Sequence, residues 1–351
     1  MVGPWPPTVG GVTSFMLKLV GSDLAREFDF RRFTTTRPPK RATIDNWGYG
    51  AVLQGGVRRI ISGAAVTLWH LLAFPFRAAA VDIVQIQASD FLTFWEAIYY
   101  VLVARAIGRR SVMRLGGAFD RFYDGSSPRL KAAIRWAIGR PDRLIVQSDY
   151  WSRLVDGLGR SDGVVTVPNW VPDRLIAPVE RGNGPCTCLF IAGSEARRKG
   201  FELILEAARL LPDLRFRIVA APDLAPAPNL TGWGVLNHAD LLDEMRAADI
   251  FALPSFGEGF PNSLIEAMAL GLTSVATPVG AVPEIIADGV NGYLTPVGDA
   301  ATLARRLGEL AADPALRLRM GAAAQQSVAE KYCETRVTGT LRQLYLELDS
   351  I

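Results

Sequence analysis

Histidine is scarce in this chain of 351 residues, which holds only His70 and His238, and cysteine is limited to Cys186, Cys188 and Cys333. Two histidines exclude a histidine cluster for a metal. The Cys186-x-Cys188 pair has no second pair nearby to complete a zinc site, so these thiols read as packing residues suited to a reducing cytosol. No Asp-x-Asp triplet occurs, which removes one common way of holding a divalent ion on a diphosphate ligand. The longest apolar run, Ile60 to Phe76, is flanked by Arg58, Arg59 and Arg77 and contains Ser, Thr and His. It is shorter than the ~20 residues a membrane span requires, so a buried or surface helix is expected. No signal peptide is expected at the start.

What is present is a large apolar content, 49%, enough for substantial cores and too much for a disordered chain. The length favours two domains over one. The net charge of +3 conceals an asymmetry. Residues 1–170 carry 22 Lys and Arg against 13 Asp and Glu, a net +9, while the remainder is −6. The two halves therefore face different partners.

Short apolar runs alternate with helical patterns, the signature of parallel sheets with crossover helices. Strands are expected at 82–87, 111–117, 143–148 and 164–169, with helices at 91–107 and 128–138 between them. Residues 171–185, rich in Pro and Gly, read as a linker. After it the pattern restarts with strands "CTCLFIAG", "LRFRIVAA" and "DIFALPS" and a helix "FELILEAARLL". The expected division is a first domain over 1–170, the linker, a second domain over 186–332, and a terminal helix over 333–351 packing back on the first. At the front, "MVGPWPPTVGG" has the look of a strand running into a glycine loop, yet only two residues precede Gly3.

The stretch "FGEGFPNSLIEAM" (256–268) places Glu258 and Glu266 around residues otherwise suited to an anion. "DIFALPS" is strand-like and "SLIEAMALG" helix-like, with Pro261 at the helix start, Asn262 or Ser263 as cap and Gly271 as the stop. The loop's N–H groups and the helix dipole favour a phosphate. A carboxylate repels phosphate but accepts two hydrogen bonds from a vicinal diol. A ligand combining diphosphate, diol and further hydroxyls satisfies the whole stretch, and a nucleotide-sugar is such a ligand. The plainer alternative is that Ser263-x-x-Glu266 is a capping box and Glu258 a solvated charge.

The segment "PSFGEGFPNSLIEAMALGLTSVATPVGAVPEIIADGVNGYLTP" closely resembles the carboxy-terminal signature of the family-4 retaining glycosyltransferases, including their Glu-x7-Glu spacing. The resemblance extends to "GSEARRKGFELILEAA", "VPNWVP" and "TVGGV", and is looser in the first half. It implies the GT-B fold, α/β, with two Rossmann-like doubly wound domains facing across a cleft, the first binding acceptor and the second nucleotide-sugar. By the same resemblance Glu258 contacts donor-sugar hydroxyls and Glu266 holds the ribose. Gly259, Phe260, Pro261, Asn262 and Ser263 lie against the diphosphate and sugar, Lys199 neutralises the leaving diphosphate, and Gly10 and Gly11 approach the same phosphates.

The chain also departs from the pattern. Ser194 stands where the family has an arginine, and either Arg197 or Arg198, of which Arg198 is taken as the donor-binding residue, reaches the same space or is merely solvated. Leu115 stands where a histidine often precedes the paired glycines Gly116 and Gly117, and Gln85 and Gln87 replace other common histidines. Arg114 and Asp120 are candidates to supply polarity there.

The expectation is thus a metal-independent transferase with no cofactor beyond a nucleotide-diphosphate sugar as co-substrate. Its reaction is front-face attack by a glycan or lipid-linked acceptor in cell-envelope or exopolysaccharide synthesis. A cytoplasmic location, peripheral contact with an anionic inner-membrane surface and no nucleic-acid partner are expected. The rival readings are a sugar-nucleotide epimerase on the same fold and a catalytically inactive sugar-nucleotide-binding subunit.

Overall fold

A computed structural model describes residues 1–6, 11–35, 57–89, 91–117, 119–177, 184–221, 224 and 227–350, with the backbone alone described for 57–65 and 194. The chain divides into two compact units, one comprising Met1–Pro168 and the chain from Thr338 on, the other Asn169–Val337.

In the first unit the elements run β1 (Val2–Gly3), α1 (Gly11–Val20), β2 (Phe33–Thr34), α2 (Val57–Ala78), β3 (Ile83–Ala88), α3 (Phe91–Ala106) and β4 (Arg110–Leu115). They continue with α4 (Phe119–Asp124), α5 (Pro128–Ile138), β5 (Arg143–Val146), α6 (Asp149–Gly157) and β6 (Val164–Thr166). The sheet order is β2-β1-β3-β4-β5-β6, every pairing parallel. The order reverses between β1 and β3, the point at which doubly wound sheets open a crevice at their strand ends. The first strand is therefore present, as two residues only. Strands β3 to β5 are almost wholly buried, although Gln85 and Gln87 interrupt the apolar run of β3 and Ser111 and Arg114 that of β4.

The second unit runs β7 (Thr187–Ile191), α7 (Phe201–Leu210), β8 (Arg215–Val219), β9 (Leu230–Trp233), α8 (His238–Arg246), β10 (Ile250–Leu253) and α9 (Asn262–Ala269). It ends with β11 (Thr273–Ala276), α10 (Val282–Ile285), β12 (Gly292–Leu294), α11 (Ala300–Ala312) and α12 (Pro314–Lys331). Its all-parallel sheet has the order β12-β11-β10-β7-β8-β9, reversing between β7 and β10. Alternation along the strands divides two cores. Leu189, Phe251 and Leu253 pack on one face with α9 and α10, while Cys188, Phe190, Ile250 and Ala252 pack on the other with α7 and α11. Cys188 is a core residue whose thiol burial pushes well above its ordinary pKa.

The stretch expected as a linker over 171–185 begins instead as part of the second unit. Val171 is buried, donates its N–H to Tyr332 and bridges Cys333, while Leu175 joins the core with α9. Proline had suggested a spacer, but Pro172 here only precedes a single 3-10 turn at Asp173–Leu175. The last helix, α13 (Glu334–Asp349), crosses the unit boundary at Thr338. Its later part is tied into the first unit by an Arg342–Glu27 ion pair, by Tyr345 donating to Gln85, and by the Phe28 ring against Tyr345.

Candidate functional site

The residues singled out in the second half of the sequence gather at the β7/β10 reversal. The chain leaves β7 through a 3-10 turn and reaches Gly200, which starts α7 with φ +86°. A Cβ at Gly200 would lie 2.1 Å from the carbonyl oxygen of Pro254, so only glycine lets this turn lie against the end of β10. Arg198 O then accepts from the Phe256 amide at 2.8 Å, joining the two loops by their backbones.

This approach brings Lys199 to Glu258. Lys199 Nζ donates to Glu258 Oε1 at 2.8 Å, and Ser255 Oγ donates to the same oxygen at 2.8 Å. Glu258 is only 8% exposed, so the carboxylate is held by charge-assisted hydrogen bonds rather than solvated. Arg198 lies 3.8 Å from the same Oε1, pairs with Glu195 at 2.6 Å and donates to the Gly257 carbonyl. Burial lowers the Arg198 pKa, but its hydrogen bond to Glu195 and the charges of Glu258 and Glu195 outweigh this and hold it above the ordinary arginine value. Arg197 is exposed, so Arg198 is the arginine that reaches the carboxylate. No hydrogen bond is made to Glu258 Oε2 among the described residues, which leaves one oxygen to accept from a ligand hydroxyl.

The backbone of this loop is clamped from the far side. A Cβ at Gly280, where φ is +55°, would lie 1.9 Å from Glu258 O, and the Ala281 amide donates to Gly259 O at 3.1 Å. Asn169 Nδ2 donates to Phe260 O at 3.2 Å. The Phe260 ring itself is buried against Tyr332 and belongs to the core, so only its backbone faces the loop. Pro261 is buried, whereas Gly259, Asn262 and Ser263 are half-buried.

The expected cap is corrected by the structure. Pro261 takes the N-cap position with no side-chain hydrogen bond, and Asn262 and Ser263 lie already inside α9. Proline's fixed φ and missing N–H suit the first turn, and they displace the Ser263 capping box by two positions. The buried Glu266 instead faces His238, whose Nε2 lies 3.2 Å from Glu266 Oε1. His238 opens α8, with Asn237 capping through its side chain to the Asp240 amide. The other end of α9 follows expectation. Gly271, at φ +69°, donates to Met268 O while Leu272 donates to Ala267 O, a Schellman end.

Three participants were missed by sequence reasoning: His238, Gly280 and Ser255. Gly280 carried a signal, a glycine in a strand-to-helix turn of the "VGAVPE" segment. The histidine had none, since its partner lies 28 residues on.

In the first unit Gly11 opens α1 and is exposed, while Gly10 lies outside the described residues. Arg114 is wholly buried with its guanidinium 3.8 Å over the Phe15 ring, and burial lowers its pKa to about 9. Leu115 is a core residue, and a Cβ on Gly116 would meet Gln147 Nε2 at 2.7 Å. The Gln87 amide is buried and makes no hydrogen bond among the described residues. Asp120 accepts from Tyr150 Oη at 3.3 Å. Among the described residues no group of three His, Cys, Asp or Glu side chains is placed to hold a metal ion.

The cation–carboxylate cluster lies on the loops that follow two neighbouring strands, at the reversal of a parallel sheet, which is where α/β domains of this kind bind ligands. Residues 185–313, within the second unit, match the family described as Glycosyl transferases group 1. The chain is 31% identical over 199 residues to a phosphatidyl-myo-inositol mannosyltransferase of Mycobacterium leprae, covering 52% of this chain and 53% of the relative. It is 44% identical over 249 residues to a D-inositol 3-phosphate glycosyltransferase of Streptomyces scabiei, covering 63% of this chain and 52% of the relative. The chain thus spans about half the length of these curated relatives. The solved sucrose-phosphate synthase of Thermosynechococcus elongatus superposes with a TM-score of 0.77 at 16% identity, covering 99% of both chains, which establishes a shared two-unit GT-B fold.

Proposed function

We propose that the protein is a family-4 retaining glycosyltransferase that moves a sugar from a nucleotide-diphosphate sugar to a glycan or lipid-linked acceptor in cell-envelope or exopolysaccharide synthesis. The observation that carries this reading is the Lys199–Glu258–Ser255 cluster at the β7/β10 reversal of a group 1 glycosyl transferase domain. Donor cleavage places negative charge on the departing diphosphate, and Lys199, Arg198 and the start of α9 are cations and dipoles positioned to stabilise it. Glu258, fixed through Oε1, offers Oε2 to a sugar hydroxyl, and Glu266 offers a carboxylate to the ribose diol.

In this reading the donor charge is met by protein cations without a metal. The sugar leaves with retention because the departing phosphate oxygen accepts the acceptor's proton on the face from which attack comes. The relatives' names point to polyol and polyol-lipid acceptors as the first class to test. A basic first unit suits an acceptor at an anionic inner-membrane surface.

The test is a panel of nucleotide-sugars screened by thermal shift and then by transfer to inositol-containing and lipid-linked acceptors. A ligand at ~100 times its dissociation constant adds about 2.7 kcal/mol of stability. Stabilisation by a nucleotide-sugar together with a glycosylated product supports the reading. Donor binding without product on any acceptor replaces it with a sugar-nucleotide-binding subunit, and a donor converted to its epimer replaces it with an epimerase.

A further inference from the structure

Helix α2 presents an apolar stripe to solvent. Its inward face is set by Phe74 and Ala78, both buried, with Phe74 packed 4.6 Å from the Tyr100 ring and Phe33 set edge-on to it. Tyr99 Oη donates to Leu71 O at 2.6 Å and fixes the helix against α3. At 100° per residue, Leu68, Trp69, Leu72 and Phe76 fall within one arc of roughly 100° on the opposite side. All four are exposed, Trp69 at 69% and Phe76 at 82%. A helix that already buries one apolar face in its own core and carries a second outward has more apolar surface than its fold uses.

Charge decides what covers the stripe. Arg77 follows Phe76, is exposed, and makes no ion pair among the described residues. Arg109 and Arg31 donate to the carbonyls of Ala79 and Ala80 just past the helix end, while also facing Asp82 and Asp29. The whole first unit, residues 1–168 with 338–351, carries 23 Lys and Arg against 15 Asp and Glu, a net +8. A second copy would bring two such charges together, whereas an anionic bilayer attracts them. Aromatic and aliphatic side chains on one helical face beside a cation form the pattern of a helix lying in a lipid interface. No helix among the described residues is long and apolar enough to cross a membrane.

We propose that the outward stripe of α2, Leu68, Trp69, Leu72 and Phe76, docks the first unit on an anionic lipid surface, with Arg77 at the headgroups. This deepens the membrane-facing acceptor reading and rests on it for the choice of lipid over protein.

The experiment is flotation of the full chain with vesicles of phosphatidylcholine alone and of phosphatidylcholine with phosphatidylglycerol, for the wild type and for Leu72→Glu/Phe76→Glu. Both substitutions lie on the exposed face, and an unchanged melting temperature verifies the fold. The wild type is expected to float with the anionic vesicles, less so in high salt, and the double variant to lose at least about tenfold in partitioning. Nucleotide-sugar binding is expected to be equal in the two proteins. Equal flotation of the two proteins, or no flotation of the wild type, overturns the proposal. So does a wild-type dimer that the double variant converts to a monomer with no change at vesicles, since the stripe then belongs to a second copy. A wild type that does not float yet transfers sugar to a soluble acceptor removes the docking and leaves the enzyme, while a wild type that floats but transfers no sugar removes the enzyme and leaves the docking.

Discussion

Lys199 Nζ stands 2.8 Å from Glu258 Oε1, two residues separated by 59 positions in sequence and joined by loops that follow neighbouring strands. Each group offsets the other's charge in the absence of ligand, so loss of either disturbs both.

Lys199→Ala is expected to lower turnover by roughly 100- to 1,000-fold, the usual cost of one positioned donor to a developing anion. Chelation with EDTA should leave the wild-type rate unchanged. Steady-state kinetics with and without chelator check both; a rate abolished by EDTA and restored by magnesium or manganese would overturn the metal-independent mechanism.

Glu258→Ala should leave the fold standing while removing most transfer, by about 100-fold, because the sugar is no longer oriented. Glu258→Gln retains the volume but donates where the wild type accepts, so it should fall nearly as far. Circular dichroism and product formation on the native donor separate the two effects. Near-native turnover in either variant removes Glu258 from the chemistry.

Gly280→Ala combines a left-handed φ with a Cβ 1.9 Å from Glu258 O. The expected loss is about 1–3 kcal/mol from backbone conformation, with more from the clash, and turnover should drop because Glu258 moves. Denaturant titration alongside kcat tests this. A variant as stable and active as the wild type would show that the loop is not clamped there.

His238→Ala should weaken binding of the free nucleoside diphosphate by about tenfold or less, a modest effect because the ring is largely exposed. His238→Gln keeps an N–H donor toward Glu266 and should restore most of the affinity. Calorimetric titration of both variants is the measurement, and an alanine variant of unchanged affinity assigns the histidine to the surface alone.

Tyr345 is buried, and burial raises its pKa above the ordinary 10.0. Above pH 10 the unfolded chain releases this proton while the native chain keeps it, so the native state binds more protons and stability falls as pH rises. Tyr345→Phe should therefore flatten the alkaline decline of stability, measured by urea unfolding from pH 8 to 11.5. Parallel declines in the two proteins would contradict it.

Alternation of short apolar runs with helical patterns made the sheets legible, since strands buried on both faces carry continuous apolar stretches, as Ile250–Leu253 and Leu144–Val146 do. The frame of the Glu258 loop was legible because a strand-like run precedes it and a proline-led helical pattern follows it. Contacts closed by tertiary approach were not. Nothing in the residues around Gly200 states that Pro254 will lie 2.1 Å from its missing Cβ. The cap was misplaced because Ser263 satisfies a local rule that Pro261 pre-empts two residues earlier. The outward face of α2 was also hidden, because a run apolar on all sides carries no phase by which to tell core from solvent.

The helix α13 has a consequence for the order in which the protein is made. Its contact from Tyr345 to Gln85 spans 260 positions, and the whole of Asn169–Val337 is translated between the two partners. The second unit, whose beginning and end are already tied together where the Val171 amide meets the Tyr332 carbonyl, is complete while the first still lacks its last helix. On the ribosome the first of the two units to emerge is thus the last to finish, and it waits with Gln85 of β3 lacking its Tyr345 partner until that helix arrives.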